Sequence, residues 1–346
     1  MRNLFITLII FMETMSNVLA QNADYLFMIE NAIKAPSGHN TQPWLFKICD
    51  SEIDIYPDFT KSLPVVDPDN RELFVSLGCA TENLCIAASH KGYRGDVTIT
   101  DNDVIKIMLS QDSLNMALSI YPQIPIRQTN RSIYNGKIIP EDSIALLKSV
   151  GAETCIGVHF FKNGTPEYQV ISEMVYKGNN IQMSDKNFKE ELRQWMRYNK
   201  KHQNATKDGL SYAVFGAPNI PRFIAKPIIT RAINEKSQNK NDRKRIESSS
   251  HFILLTTSSN TVEQWINLGR TLERILLKAT EMGISHAYLN QPNEVSELSL
   301  EMAQRLGISN EYPTVLIRIG YGKKMPYSLR RDARACILHV VSESNN

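Results

Sequence analysis

The chain has 346 residues, 42% of them hydrophobic and 22% charged, which is ordinary globular composition with room for one large domain or two smaller ones. Its net charge of +3 is spread over interspersed acids and bases, and no basic stripe with interleaved aromatics marks a nucleic-acid surface. Cys49, Cys79, Cys85, Cys155 and Cys336 are scattered without CxxC spacing, so they read as buried thiols rather than a zinc site or a disulfide framework.

Taken in order, the chain begins with Arg2 and an apolar run from Leu4 to Met12, followed by Val18-Leu19-Ala20. That is the pattern of a short secretory signal, and it is too short to cross a bilayer as a helix. Glu13 and the alternative start Met15 argue against export. The cytoplasm is therefore the expected location, with export through residues 1–20 as the alternative. Residues 24–34 have a helical apolar face at Leu26, Ile29, Ala32 and Ile33. After a polar loop, 44–48 and 53–56 read as a β-hairpin, 67–70 as a turn, and 71–91 as a long helix closed by Gly92. Strands are expected at 97–100 and 105–109. Pro140 opens a helix that ends at Gly151, and 157–161 is a strand. Residues 167–199 carry one helical pattern, and 200–250 are polar and charged. Strand 252–256, helix 262–282, strand 287–289, helix 295–306 and strand 314–319 complete the reading.

The chain repeats itself. Leu77, Gly78, Glu82, Ala88 and Gly92 recur as Leu268, Gly269, Glu273, Ala279 and Gly283, each at an offset of 191 residues. Phe46-Lys47 recurs as Phe161-Lys162 at an offset of 115. The difference places about 76 extra residues between Lys162 and Leu268. The fold class expected is α+β: two α+β halves in one chain, forming a pseudo-dimer around two central long helices. Residues 23–122 make the first half and 123–346 the second, with a lid insertion over about 176–250. A helix that is apolar around much of its circumference needs cover on several sides. Ligand sites are expected at the seam between halves.

Four polar constellations could line such a site. The loop Ala35 to Trp44 carries Ser37, His39, Asn40, Thr41 and Gln42, more polar groups than a plain turn needs. It is either an ordinary connection or a place where donors converge on a planar ligand. Arg127, Thr129, Arg131 and Ser132 offer forked guanidinium and hydroxyl donors suited to a phosphate. Lys323, Lys324, Arg330, Arg331 and Arg334 follow the last strand, and Asn290-Gln291-Pro292 follows another. The chain has no GxGxxG, Walker, HExxH or GxSxG motif, and its seven histidines lack metal-ligand spacing. No metal is expected. A phosphate-bearing planar cofactor that carries the chemistry itself fits what remains.

These residues resemble the FMN-dependent nitroreductase family. Arg127-Gln128-Thr129-Asn130-Arg131 before Pro140-Glu141-Asp142 resembles its phosphate-binding start. Ala35-Pro36-Ser37 with Asn40 and Gln42-Pro43-Trp44 resembles the loop over its flavin. Gly269, Glu273, Ala279, Gly283 and Asn290-Gln291-Pro292 resemble its long helix and the strand end beside the ring, and Arg330-Arg331 its C-terminal basic pair. The loop lies in the first half and the Arg signature in the second, an order similar to the fused, single-chain Acg-type branch. The resemblance implies one FMN per chain. Arg127, Thr129 and Arg331 would hold its phosphate with Arg330 assisting. Arg131 would sit at the pyrimidine edge, Ser37, His39 and Asn40 at the ring or ribityl chain, and Asn290 and Gln291 near N5. It further implies ping-pong hydride transfer from NAD(P)H to a small nitro, quinone or enone acceptor, in a monomer whose pseudo-dimer is internal. The alternative is an FMN-sequestering protein with its lid closed.

Overall fold

The computed structural model describes residues 21, 23–112 and 120–338. The apolar segment expected as a signal, residues 1–20, lies outside them. In chain order the elements are α1 (residues 23–32), β1 (Trp44–Ile48), β2 (Glu52–Pro57), α2 (Arg71–His90), β3 (Tyr93–Ile99), β4 (Ile105–Gln111), α3 (Glu141–Val150), β5 (Ile156–Lys162), α4 (Pro166–Ser184), α5 (Lys186–Trp195), α6 (Lys200–Thr206), α7 (Arg222–Ala232), α8 (Glu235–Glu247), β6 (His251–Thr257), α9 (Val262–Glu281), β7 (Ser285–Tyr288), α10 (Ser296–Arg305) and β8 (Tyr312–Gly320).

The duplication is visible in the topology. One four-stranded antiparallel sheet has the order β1-β2-β4-β3, and the other has β5-β6-β8-β7. Helix α2 sits between β2 and β3, and α9 between β6 and β7, so the repeated unit is one long helix packed on one sheet, to which the second half adds α3, α4, α8 and α10. Both bounds of α9 lie 191 residues beyond those of α2. The two helices pack together along their lengths at the centre of a core fed by both halves, including Leu77, Leu84, Ile266, Leu268 and Leu272.

Glycine makes that crossing tight. A Cβ on Gly78 would lie 2.0 Å from the Ile266 carbonyl oxygen, and one on Gly269 would lie 2.1 Å from the Val75 carbonyl oxygen. Val75 and Ile266 are themselves related by the same offset, so the contact is two-fold symmetric within one chain. The equivalent acids Glu82 and Glu273 flank it. Glu82 pairs with Arg270 of α9 at 3.0 Å, and Glu273 with Arg127 at 3.2 Å.

The insertion differs from the expected lid. Residues 167–199 are two helices, because Asp185 is extended and its side chain caps α5 by accepting from the Asn187 N–H. Helices α4 and α8 are structural: Tyr168, Ile171, Met174, Val175 and Ile246 pack on Phe252, Leu254 and Leu316 of the second sheet. Residues 185–234 give most of the apolar cover over the seam, with Met183 of α4 and Gln238 of α8 beside them. They are fastened to the first half by Glu191, whose carboxylate accepts from the Val65 and Val66 N–H groups at 3.0 Å each. The second half, expected over 123–346, also gives up its end. Ile337 bridges to Phe46, and the Leu338 N–H donates to the Phe46 carbonyl at 2.7 Å, so residues 337–338 edge the first sheet.

Gly78→Ala should force the central helices apart and cost about 3 kcal/mol of stability. The check is the urea midpoint. An unchanged midpoint would show that the crossing tolerates a methyl group.

Candidate active site

A cavity of about 440 Å³ opens at the seam, within the usual range for small-molecule sites. Its wall is built from both halves: the Pro36–His39 loop and Glu72, Ser76 and Cys79 of α2 on one side, and Arg131, Leu272 of α9 and Tyr288–Gln291 on the other. Residues 185–234 roof it with Leu192, Met196, Leu210, Tyr212, Phe215 and Ile229.

Five of the expected site residues line this cavity: Ser37, His39, Arg131, Asn290 and Gln291. Arg131 is the most telling. Among the described residues its guanidinium contacts only the face of Phe215, 5.3 Å from the ring centroid, and has no carboxylate or carbonyl partner. Desolvation pushes it down to about 10, reinforced by the like charges of Arg245 and Arg318. A half-buried cation in a cavity wall without a counter-ion is unfavourable, and a bound anion would relieve that cost. His39 has a left-handed backbone at φ 46° and a buried Nδ1 without a partner. Desolvation, then Arg131, lowers its pKa to about 4, so it is neutral at pH 7. Gln291 donates to Asn179 and Asp242 and leaves a buried carbonyl oxygen unpaired. Asn290 is committed to the protein: it donates to Glu72 and accepts from the Leu316 N–H and from Asn293 at 2.9 Å each.

The expected phosphate set is elsewhere. Arg127 is buried against Glu273 and donates to the Lys34 carbonyl at 2.7 Å. Thr129 sits in a bridge to His286. Arg330 donates to the carbonyls of Ile33, Lys34 and Ala35 and to Asn40 Oδ1. Arg331 donates to the Gln42 carbonyl at 2.7 Å. Asn40 closes this knot by donating to Gly209 and Leu329, while Gln42 donates to the Lys207 carbonyl at 2.9 Å. The 35–44 loop spends most of its polarity on holding residues 329–331 and the roof. Its three left-handed non-glycine residues, His39, Asn40 and Gln42, are conformations that such over-determination sustains.

Four wall residues were not anticipated. Arg245 and Arg318 join Arg131. Arg245 pairs with Asp242 at 3.0 Å, and Arg318 stacks on Tyr134, 4.0 Å from its centroid. Arg318 had a signal, a charge inside the apolar strand Val315 to Ile319, whereas Arg245 hid in the charged run of α8. The other two are Glu72 and Glu294, whose carboxyls hydrogen-bond to each other. Desolvation, then the Glu294 charge, pushes Glu72 up to about 8, and burial also raises Glu294. Glu72 is thus held protonated on the cavity wall at neutral pH. The arrangement offers a positive wall for an anion and a carboxyl proton, with a neutral imidazole and an amide between polar and apolar surfaces.

Arg127→Ala should leave Glu273 buried and unpaired, lowering stability by about 3–5 kcal/mol. Adding Glu273→Gln should recover part of the loss. A wild-type urea midpoint for Arg127→Ala would mean that the guanidinium is free for a ligand.

No protein-family model matches the sequence. Two curated proteins of Mycobacterium tuberculosis, from strains CDC 1551 / Oshkosh and H37Rv, are both named "Putative NAD(P)H nitroreductase". Each is 23% identical over 302 residues, covering 84% of this chain and 83% of the relative. Among solved structures, a nitroreductase with bound FMN from Desulfitobacterium hafniense DCB-2 is similar with a TM-score of 0.41 and 12% identity. The match covers 65% of this chain and all of that one, a score too low to establish a shared fold by itself.

Proposed function

We propose that this chain, which belongs to the nitroreductase family, is an FMN-dependent oxidoreductase that takes reducing equivalents from NAD(P)H and passes them to a small organic acceptor. The observation that carries this reading is Arg131, a cation without a counter-ion in the wall of a cavity made by both halves. The relatives named NAD(P)H nitroreductase, matched over most of both chains, support it. FMN, when bound, supplies hydride acceptance and donation.

The residues fit such a group. With Arg127, Arg330 and Arg331 committed to the protein, Arg131 is the cation left for an anionic part of the cofactor, and Arg245 and Arg318 add positive potential around it. His39, neutral and carrying a free Nδ1, offers one hydrogen bond, and the unpaired Gln291 carbonyl oxygen accepts another. Reduction of a nitro, quinone or enone acceptor consumes a proton with each hydride. The Glu72 carboxyl, kept protonated by burial and by Glu294, is placed to give that proton at the cavity wall. The roof presents apolar side chains to the site.

A second reading, an FMN-sequestering protein with little turnover, is favoured by the fastening of the roof through Glu191, Asn40 and Gln42. Reduction separates the two. Under argon, NAD(P)H should bleach the FMN-loaded protein within seconds, and Arg131→Gln should bind FMN about 10–100-fold more weakly. A flavin absorbance that persists under NAD(P)H contradicts the reductase reading, and unchanged FMN affinity contradicts the role given to Arg131.

A further inference from the structure

Helix α7 has an apolar outer face that none of the described residues covers. Ala225 points inward, and Ile229 and Ile233 line the cavity. At 100° per residue the opposite face is formed by Phe223, Ile224, Pro227 and Ile228. Phe223 is 79% exposed and Ile228 58%, and Ile224 is exposed beside them. Arg231 falls within this face at its C-terminal end, Lys226 lies beside Phe223, and Arg222 stands at the helix start with its guanidinium 6.0 Å from the Tyr198 ring centroid; all three are exposed. From Gly209 to Asn234 the sequence contains no Asp or Glu.

Helix stability does not account for that charge. Arg222 stands in the first turn, where the helix dipole disfavours a cation, and no acid is present there. Pro227 in the helix interior costs further stability. Large apolar side chains edged by cations are the pattern of a helix lying in the headgroup layer of an anionic bilayer. Exposed apolar side chains accompanied by cations and by no carboxylate suit an anionic fluid surface better than a shaped protein pocket.

We infer that α7 docks this protein onto anionic lipid, with Phe223, Ile224 and Ile228 inserted and Arg222, Lys226 and Arg231 at the headgroups. Phe215 is both exposed and part of the cavity wall. Ile229 and Ile233, on the inner side of α7, line the same cavity, so docking through α7 places the roof of the site at the lipid. If the oxidoreductase reading above holds, a lipid-soluble acceptor then has a short route to the site.

The test is co-sedimentation of the full chain, with or without FMN, with vesicles of equal parts phosphatidylglycerol and phosphatidylcholine, against phosphatidylcholine alone. Binding should favour the anionic vesicles by ~10-fold or more and fall as salt is raised toward ~1 M. The exposed double variant Phe223→Ser/Ile228→Ser should lose that binding, and Arg222→Glu/Lys226→Glu should lose the preference for anionic lipid. Both should keep the wild-type urea midpoint and FMN affinity, so failure here is distinguishable from failure of the flavin assignment. Equal binding to both vesicles, or binding that survives the double variant, overturns the inference. So does an oligomer in gel filtration that the double variant abolishes, which would assign the face to a second copy of the chain.

Discussion

The close approach of Gly78 and Gly269 sets the geometry of the whole molecule. With no side chain on either helix at the crossing, the carbonyls of Ile266 and Val75 reach the facing backbone, and the two halves share one continuous core. A pair of small α+β units, each one helix on a four-stranded sheet, would leave a large apolar helix surface in water. Joined through this contact they bury it, and the seam they create becomes the wall of the cavity. The separation of α2 and α9 also fixes how far the Pro36–His39 loop stands from Tyr288–Gln291, and so the width of the site.

Charge is divided between support and function. Glu82 and Glu273 occupy equivalent places, yet one is neutralised by the neighbouring long helix and the other by Arg127. Arg330 and Arg331 saturate loop carbonyls that would otherwise be buried without donors. Arg131 is different in kind, half-buried and unpaired, and Glu72, its carboxyl raised by burial, lines the opposite side of the cavity. The roof over them is fastened by a few hydrogen bonds, so access to the cavity is a property of residues 185–234 rather than of the two halves.

The pseudo-dimer was legible because helix periodicity and glycine spacing both recur at one offset. The hairpin 44–57 was legible from local alternation, and its neighbours β3 and β4 ran longer than expected because cross-strand pairing extends them beyond their apolar cores. The boundary of the roof was not legible: α4 and α8 have polar outer faces, and only tertiary packing on Phe252 and Leu316 shows them to be core. Five of the ten expected site residues face the cavity, and for the others the difficulty was one of partners. A basic cluster reads the same whether its donors meet a phosphate or a carbonyl, and the contact of Arg127 with Glu273 joins distant parts of the sequence. Arg245 had no signal above the charged helix around it.

The central claim is one flavin site per chain, formed between two halves of the same molecule. Its most direct test is a calorimetric titration of apo protein with FMN, read together with the molecular mass in solution. The account predicts one FMN per chain in a monomer. No heat of binding, two FMN per chain, or one FMN shared by two chains would contradict it.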